Sequence, residues 1–218
     1  MTTWVNQMIK PLGKKMTSKN KNTEAKILKA AKEVFIIKGL EGSRMQEIAE
    51  TAGINKSLLY YYYRTKENLF DEVFKEAFFS IIPRITKMFD ADMPIFNKIE
   101  IFVNYYIDMI VLNPYLPDFI FHETNRNSEK VFLLLKDAGL NPMIIIDNFN
   151  DEIKKGNIKA IDSRQLIINI ISMCIFPFVA KPVIKGMFFN NDEEEFKVFI
   201  EERKKHITDF IINAISIK

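Results

Sequence analysis

Apolar side chains recur along this chain at helical intervals, and no stretch alternates with the period of two that a strand requires. Over residues 23–38, Ile27, Ala31, Val34 and Phe35 fall at i, i+4, i+7 and i+8, one face of an amphipathic helix. Asn22 or Thr23 can cap its start and Gly39 its end. Ser43, with Gln46 three residues on, reads as a capping box opening a short second helix that turns Ile48, Ala49 and Ala52 inward. Gly53 stops that helix, and Asn55 caps a third over Lys56 to Tyr62. Thr65 caps a fourth, with Leu69, Phe70, Val73, Phe74 and Ala77 on its apolar face, and Pro83 kinks or ends it.

The remainder is also helical in pattern. "NKIEIFVNYYIDMIVL" is a buried helix ending before Asn113-Pro114, and "LPDFIFHETNR" a shorter one with Pro117 in its first turn. Ser128 caps "EKVFLLLKDAGL". Asn141-Pro142 opens "MIIIDNFNDEIKKG", which Gly156 ends, and Asp162 caps a run from Ser163 to Val179 that is apolar nearly all round. Asn190 or Asn191 precedes a last helix with Phe196, Phe199, Ile200, Ile207, Phe210, Ile211 and Ala214 on one broad face. Three acids in its first turn suit the positive end of the helix dipole. The last helix and the Ser163 to Val179 run carry more apolar surface than one domain needs to cover. Paired with their copies they would make a four-helix dimer interface.

Composition narrows the class. The chain has 218 residues, 48% of them hydrophobic, and only 7 Gly and 8 Pro, too few turns for an all-β fold. One cysteine, Cys174, excludes an intrachain disulfide and fits a reducing compartment, so a cytoplasmic location is expected. The N-terminus lacks the apolar segment of a signal peptide. The run from Leu166 to Val179 is short for a membrane span and interrupted by Asn169 and Ser172, so no membrane partner is expected. The net charge of +3 conceals an asymmetry: up to Lys66 there are 13 Lys+Arg against 5 Asp+Glu, leaving 18 against 23 in the rest. A basic head on a mildly acidic body points to a polyanionic partner for the head.

The stretch "SLLYYYYRTKENLF" sharpens that expectation. Four consecutive tyrosines cannot share one helix face, because each residue turns about 100° from the last. Leu59 and Tyr63, four apart, belong to a core face. Tyr60 and Tyr61 then face outward beside Lys56 and Ser57, and Tyr62 lies between. Such a surface offers hydroxyls, ring faces and positive charge, which suit phosphate oxygens and thymine methyls in a major groove. The two short helices joined through "AGIN" form a helix-turn-helix: Ala52 and Gly53 permit the sharp turn, Ile54 plugs the corner and Asn55 restarts the helix.

These residues carry a resemblance. The stretch "TEAKILKAAKEVFIIKGLEGSRMQEIAETAGINKSLLYYYYRTKENLFDEVF" resembles the N-terminal DNA-binding domain of TetR-family transcriptional regulators. The matching positions are Ile48, Ala49, Ala52 and Gly53, then Leu59, Tyr60, Tyr62 and Tyr63, then Lys66, Glu67 and Leu69. Tyr63 stands where the family usually has Phe, and Leu58 where a small or hydroxylated residue is common. The resemblance implies an all-α fold in two parts. An N-terminal three-helix helix-turn-helix domain is joined to a larger helical ligand-binding and dimerisation domain.

The expected organisation is a flexible basic leader over 1–22, a DNA-binding domain over 23–69 and an effector-binding and dimerisation domain over 70–218. DNA-facing residues are expected at Arg44, Asn55, Lys56, Ser57, Leu58, Tyr60, Tyr61, Tyr62 and Lys66. The expected function is a DNA-binding transcriptional regulator, a repressor released from a palindromic operator by a small apolar or amphipathic effector. Double-stranded DNA and a second copy of the chain are the expected partners. By resemblance, an effector pocket would draw on Tyr105, Tyr106, Phe121, His122, Asn125, Cys174 and Phe178. Two other readings remain open at this point: a helix-turn-helix protein controlled by a protein partner without a small ligand, and an all-α carrier or enzyme. Catalysis is not expected. His122-Glu123 lacks the second His of a metalloprotease helix, and no Gly-rich phosphate loop or metal-ligand spacing occurs, so neither cofactor nor metal is expected.

Overall fold

The computed structural model describes residues 18–217, so the expected leader lies outside the described residues up to Thr17. Ten helices are present among the described residues, with no strand beyond an isolated bridge between Ile158 and Ser216. The chain divides into two compact units, Met1–Phe70 and Asp71–Lys218.

The first unit is built by α1 (Ser18–Gly42), α2 (Met45–Thr51), α3 (Lys56–Tyr62) and the first turn of α4 (Lys66–Asp90). Its core buries Ile27, Ala31, Phe35, Ile48, Ala49, Leu59, Tyr63, Leu69 and Phe70. The Phe35 and Phe70 rings meet edge to face at 4.7 Å. The amphipathic spacing of α1 is therefore the spacing of its core contacts. The chain is already helical at Ser18, the first described residue, ahead of the expected start at Asn22 or Thr23. No Pro or Gly lies in residues 18–22 to stop it, so the polar residues simply extend the helix. Gly39, at φ 65°, breaks α1 where the sequence placed its end, and one more turn follows.

The expected capping box at Ser43 does not form. Arg44 is the N-cap residue of α2, without a side-chain cap bond. The buried Ser43 hydroxyl instead donates to the Gly39 carbonyl, and Gln46 donates to Glu50 within α2. The break at Gly39 exposes a carbonyl that the sealed-off hydroxyl can satisfy, and that need outweighs the cap. At α3 and α4 the expected caps are in place. Asn55 Oδ1 accepts from the Leu58 amide at 2.7 Å, and Thr65 Oγ1 accepts from the Asn68 amide at 3.1 Å.

The second unit comprises most of α4 with α5 (Ile95–Leu112), α6 (Leu116–Asp137), α7 (Pro142–Lys154), α8 (Ser163–Val179), α9 (Lys181–Phe188) and α10 (Glu193–Ile215). Helices α5, α8 and α10 pack on one another, with α6 and α7 against α8. Ile99, Val103, Ile107 and Ile110 of α5, Leu166, Ile170 and Cys174 of α8, and Ile200, Ile207 and Ile211 of α10 are buried. Asn141, Asp162 and Asp192 each cap the helix that follows, as local chemistry dictates. Two local expectations are corrected. Helix α4 runs through Pro83 to Asp90 instead of ending there. The two helices expected between 116 and 140 are the two halves of α6, which meet at the non-helical Asn127, and the cap between them is Asn127, not Ser128: its Oδ1 accepts from the Lys130 amide at 3.1 Å. The short α9 gave no periodic signal, since Pro182 and Gly186 dilute it.

Candidate functional site

The turn between α2 and α3 is fixed by backbone chemistry. Gly53 adopts φ 66°, where a side chain would strain the backbone. Its amide donates to the Glu50 carbonyl at 3.0 Å and the Ile54 amide to the Ala49 carbonyl at 3.0 Å, closing the end of α2 in a Schellman motif. The chain turns there, and Asn55 starts α3 two residues on.

The four tyrosines separate by one helical rotation. Tyr63 is 6% exposed and Leu59 fully buried, whereas Tyr60 is 42% and Tyr61 66% exposed. The Tyr63 hydroxyl donates to Glu24 Oε1 on α1 at 3.3 Å, so the buried ring has a polar partner at its tip. Tyr62 is half-buried, its ring edge-on to Tyr61 with centroids 5.6 Å apart. Lys56 Nζ lies 5.8 Å from the Tyr60 ring centroid. Lys56, Ser57, Tyr60 and Tyr61 thus form one exposed surface of cation, hydroxyls and ring faces, with Leu58 half-buried. Arg44 is exposed at the start of α2. The exposed Asn55 spends its side-chain oxygen on the α3 cap.

Lys66 has an attachment that spacing did not reveal. Its half-buried ammonium donates to the Ser43 carbonyl at 3.2 Å and reaches the Glu41 carbonyl at 3.4 Å. These carbonyls belong to the last turn of α1 and the link that follows it, so Lys66 ties the start of α4 to the α1–α2 junction. Two of its three donors are used. No residue pattern announces this contact, because it joins positions more than twenty residues apart.

The second unit holds a cavity of about 220 Å³ walled by α4 to α8. Among the described residues its lining is aliphatic or aromatic throughout, with Tyr106 the one lining residue that carries a hydroxyl. The Tyr106 ring stacks on Phe102 at 5.4 Å. Burial pushes its hydroxyl well above the ordinary tyrosine range, with the neighbouring Cys174 adding to the shift. The Cys174 thiol is itself pushed up to about 12 by burial, partly offset by Arg203. A thiol so far from ionising is packing.

Of the seven residues expected at a pocket, Tyr106 alone is on the lining of this cavity. Cys174 is buried off it, Tyr105 and Phe178 are half-buried, and Phe121 and Asn125 are exposed. His122 lies on α6, with its side chain outside the described residues. The expected set favoured polar-capable and aromatic side chains, whereas the cavity is made by isoleucines on α4, α5 and α8 that read in sequence as plain core. No group of His, Cys, Asp and Glu that could hold a metal ion occurs among the described residues. No single helix among them is long and apolar enough to cross a membrane, and α8 and α9, apolar enough together, meet at a 75° bend.

Comparison with known proteins matches residues 27–73 to the family described as bacterial regulatory proteins, tetR family. The HTH-type transcriptional regulator QacR of Staphylococcus aureus is 44% identical over 52 residues, 24% of this chain and 28% of that protein. The chain thus spans less than a third of the length of the curated relatives it matches. Solved structures share the fold over far more of the chain. HlyIIR, a hemolysin II transcriptional regulator, covers 91% of this chain and 99% of its own at 24% identity, with a TM-score of 0.60. The transcriptional regulator FadR of Bacillus subtilis, in complex with stearoyl-CoA, covers 84% of this chain and 97% of its own at 17% identity and a TM-score of 0.59.

Proposed function

We propose that the chain is a TetR-family transcriptional regulator, acting as a homodimeric repressor released from a palindromic operator when a small apolar or amphipathic effector enters the cavity of its second unit. The observation that carries the DNA-binding part is the division of the tyrosine run: Leu59 and Tyr63 hold α3 in the core while Lys56, Ser57, Tyr60 and Tyr61 stand exposed. In this reading α3 lies in the major groove, where Tyr60 and Tyr61 give hydroxyls to phosphates and ring faces to thymine methyls. Asn55 fixes the start of α3, Ser57 and Leu58 meet base edges, and Arg44 and Tyr62 reach the backbone. The remaining donor of Lys66 joins the free amides at the start of α4 in holding a phosphate.

A palindrome requires two copies. Ile168 and Phe176 of α8, Val183 and Met187 of α9, and Val198 and Phe210 of α10 are exposed, each at 56% or more. A second copy of the same surface would cover them, in keeping with the isologous interfaces of two-fold dimers. Structure thus supports the α8 and α10 contribution expected from sequence and adds α9 to it. The effector would act by favouring one of two conformations of the second unit that differ in their affinity for the operator. FadR was crystallised with stearoyl-CoA, and a fold of the same class with an apolar cavity here supports control by a small molecule. The role is that of a regulator acting on DNA in the cytoplasm, not an enzyme.

Selection of bound DNA from a random pool tests the reading. A near-palindrome is expected, with half-sites one helical turn, ~34 Å, or a multiple apart. A single asymmetric half-site bound by a monomer, or no enrichment at all, would overturn it. Lys66→Ala should then weaken binding to all sequences alike and lower the salt slope by about one per subunit.

A further inference from the structure

The cavity also constrains what can occupy it. We propose that the effector is an uncharged molecule of roughly nine or ten non-hydrogen atoms, mostly hydrocarbon, with one hydroxyl or carbonyl group held by Tyr106. This rests on the reading of the second unit as the effector-binding part and narrows it to a chemical class.

Size comes first. An apolar cavity of roughly 150 Å³ takes up benzene, and this one is about 220 Å³. In proportion, a ring with a three-carbon chain or a small fused bicycle fills it. A long acyl chain or a nucleotide-bearing ligand would not fit without enlarging it.

Charge is decided by the walls. No Asp, Glu, Lys or Arg lines the cavity among the described residues. The buried ammonium of Lys98, beside the lining Ile99, donates to the Phe89 carbonyl at 2.7 Å and to Asn148 Oδ1. The half-buried guanidinium of Arg203 is committed to the Met173 carbonyl at 3.1 and 2.9 Å. An acid or an amine entering here would leave its hydration shell without gaining a counter-ion, a cost that apolar contact does not recover.

The polar anchor is Tyr106. Its hydroxyl makes no hydrogen bond to another described residue. Yet no fully sealed side-chain oxygen or nitrogen among the described residues lacks a partner. The hydroxyl therefore retains contact with open space, and Tyr106 borders the cavity. Kept protonated by burial, it can both donate to a ligand carbonyl and accept from a ligand hydroxyl.

The test uses one scaffold with four end groups on the full chain: phenylpropanol with a terminal hydroxyl, propylbenzene, phenylpropanoate and phenylpropylammonium. Affinity is read by calorimetry, for the native protein and for Tyr106→Phe. Phenylpropanol should bind tightest, and Tyr106→Phe should weaken it about threefold to tenfold while leaving propylbenzene unchanged. Both charged probes should bind at least about tenfold more weakly than the alcohol. A charged probe matching the alcohol would overturn the proposal. So would an equal loss for alcohol and hydrocarbon in Tyr106→Phe, or no binding by any probe. Binding to the selected operator is measured in parallel. Protein that holds its operator but takes up none of the four probes sinks the ligand class and leaves the regulator reading standing. Tyr106-dependent uptake by a protein that selects no DNA supports the ligand class and sinks the regulator.

Discussion

The two units of this chain use aromatic and aliphatic side chains in opposite ways. The first is small, has its apolar positions filled, and displays its chemistry outside, with Tyr60 and Tyr61 exposed beside Lys56. The second is larger, buries long isoleucine-rich helices, and still leaves a cavity of about 220 Å³ inside and apolar side chains outside. Filling a core tightly fixes side chains in place, which suits a surface that must match a rigid duplex. A cavity forgoes contact energy and leaves room for a ligand to supply it. One unit therefore presents a fixed face, while the other keeps a space whose occupancy can change its energy.

The largest expected effect breaks the filled unit. Tyr63→Ala empties a buried ring and frees Glu24 from its partner, so it should destabilise the first unit by about 3–5 kcal/mol. Hydrogen exchange at the amides of α1 to α3 measures this. Loss of protection by less than about 1 kcal/mol would mean that the ring is not core.

Overpacking sharpens the contrast directly. Ile48 is fully buried in the first unit, and Ile48→Phe should cost about 1–3 kcal/mol in denaturant unfolding. Ile171 is half-buried on the cavity wall, and Ile171→Phe should change stability by less than about 1 kcal/mol, because the ring can enter empty space. Equal costs at both sites would show the cavity to be no softer than the core.

Smaller effects belong to the displayed face. Tyr60→Phe and Tyr61→Phe should leave stability within about 0.5 kcal/mol. Operator affinity, titrated at fixed salt, should fall by about 0.5–1.5 kcal/mol for each hydroxyl bond lost. Early melting with normal affinity would instead mean that these rings are packing.

The smallest concerns a surface charge of the second unit. Asp162 caps α8, and its carboxylate is held down to about 2, chiefly by the Arg164 side chain. Its folded value lies below its unfolded one, so its contribution is present above about pH 4 and is lost as pH falls toward 2. The group is exposed, so the effect is slight. A carboxyl titration by NMR should find its midpoint clearly below that of an unperturbed aspartate, and Arg164→Ala should raise it.

Legibility in the sequence differs between the units for a physical reason. The helix-turn-helix was readable because its determinants are local: Gly53 for positive φ, Asn55 and Thr65 as caps, and the rotation that sorts Leu59 and Tyr63 from Tyr60 and Tyr61. Where the reading failed in this unit, at Ser43, a second local acceptor competed with the cap. The kink at Gly39 offered the hydroxyl a carbonyl, and the cap was lost. In the second unit helices and several caps were equally readable, since Asn141 and Asp162 act within two residues of themselves; at α10 the cap is Asp192, just past the Asn190 or Asn191 expected ahead of that helix. The break in α6 was readable too, but its cap was placed one residue late, because Ser128 and Asn127 both have cap chemistry and only the backbone geometry chooses Asn127.

By itself, the sequence determined the all-helical class, the family that the first unit resembles, the order of most helices and which faces are apolar, because helical period and capping are short-range. Only the tertiary structure decided that Lys66 bonds the Ser43 and Glu41 carbonyls, and that α4 runs on past Pro83. It likewise decided which isoleucines line a cavity and which fill a core. Ile99, Ile110 and Ile170 carry the same pattern signal as Ile107 and Ile200, since periodicity records that a side chain turns inward. Whether another side chain meets it there depends on where separate helices are brought together, and no local interval encodes that.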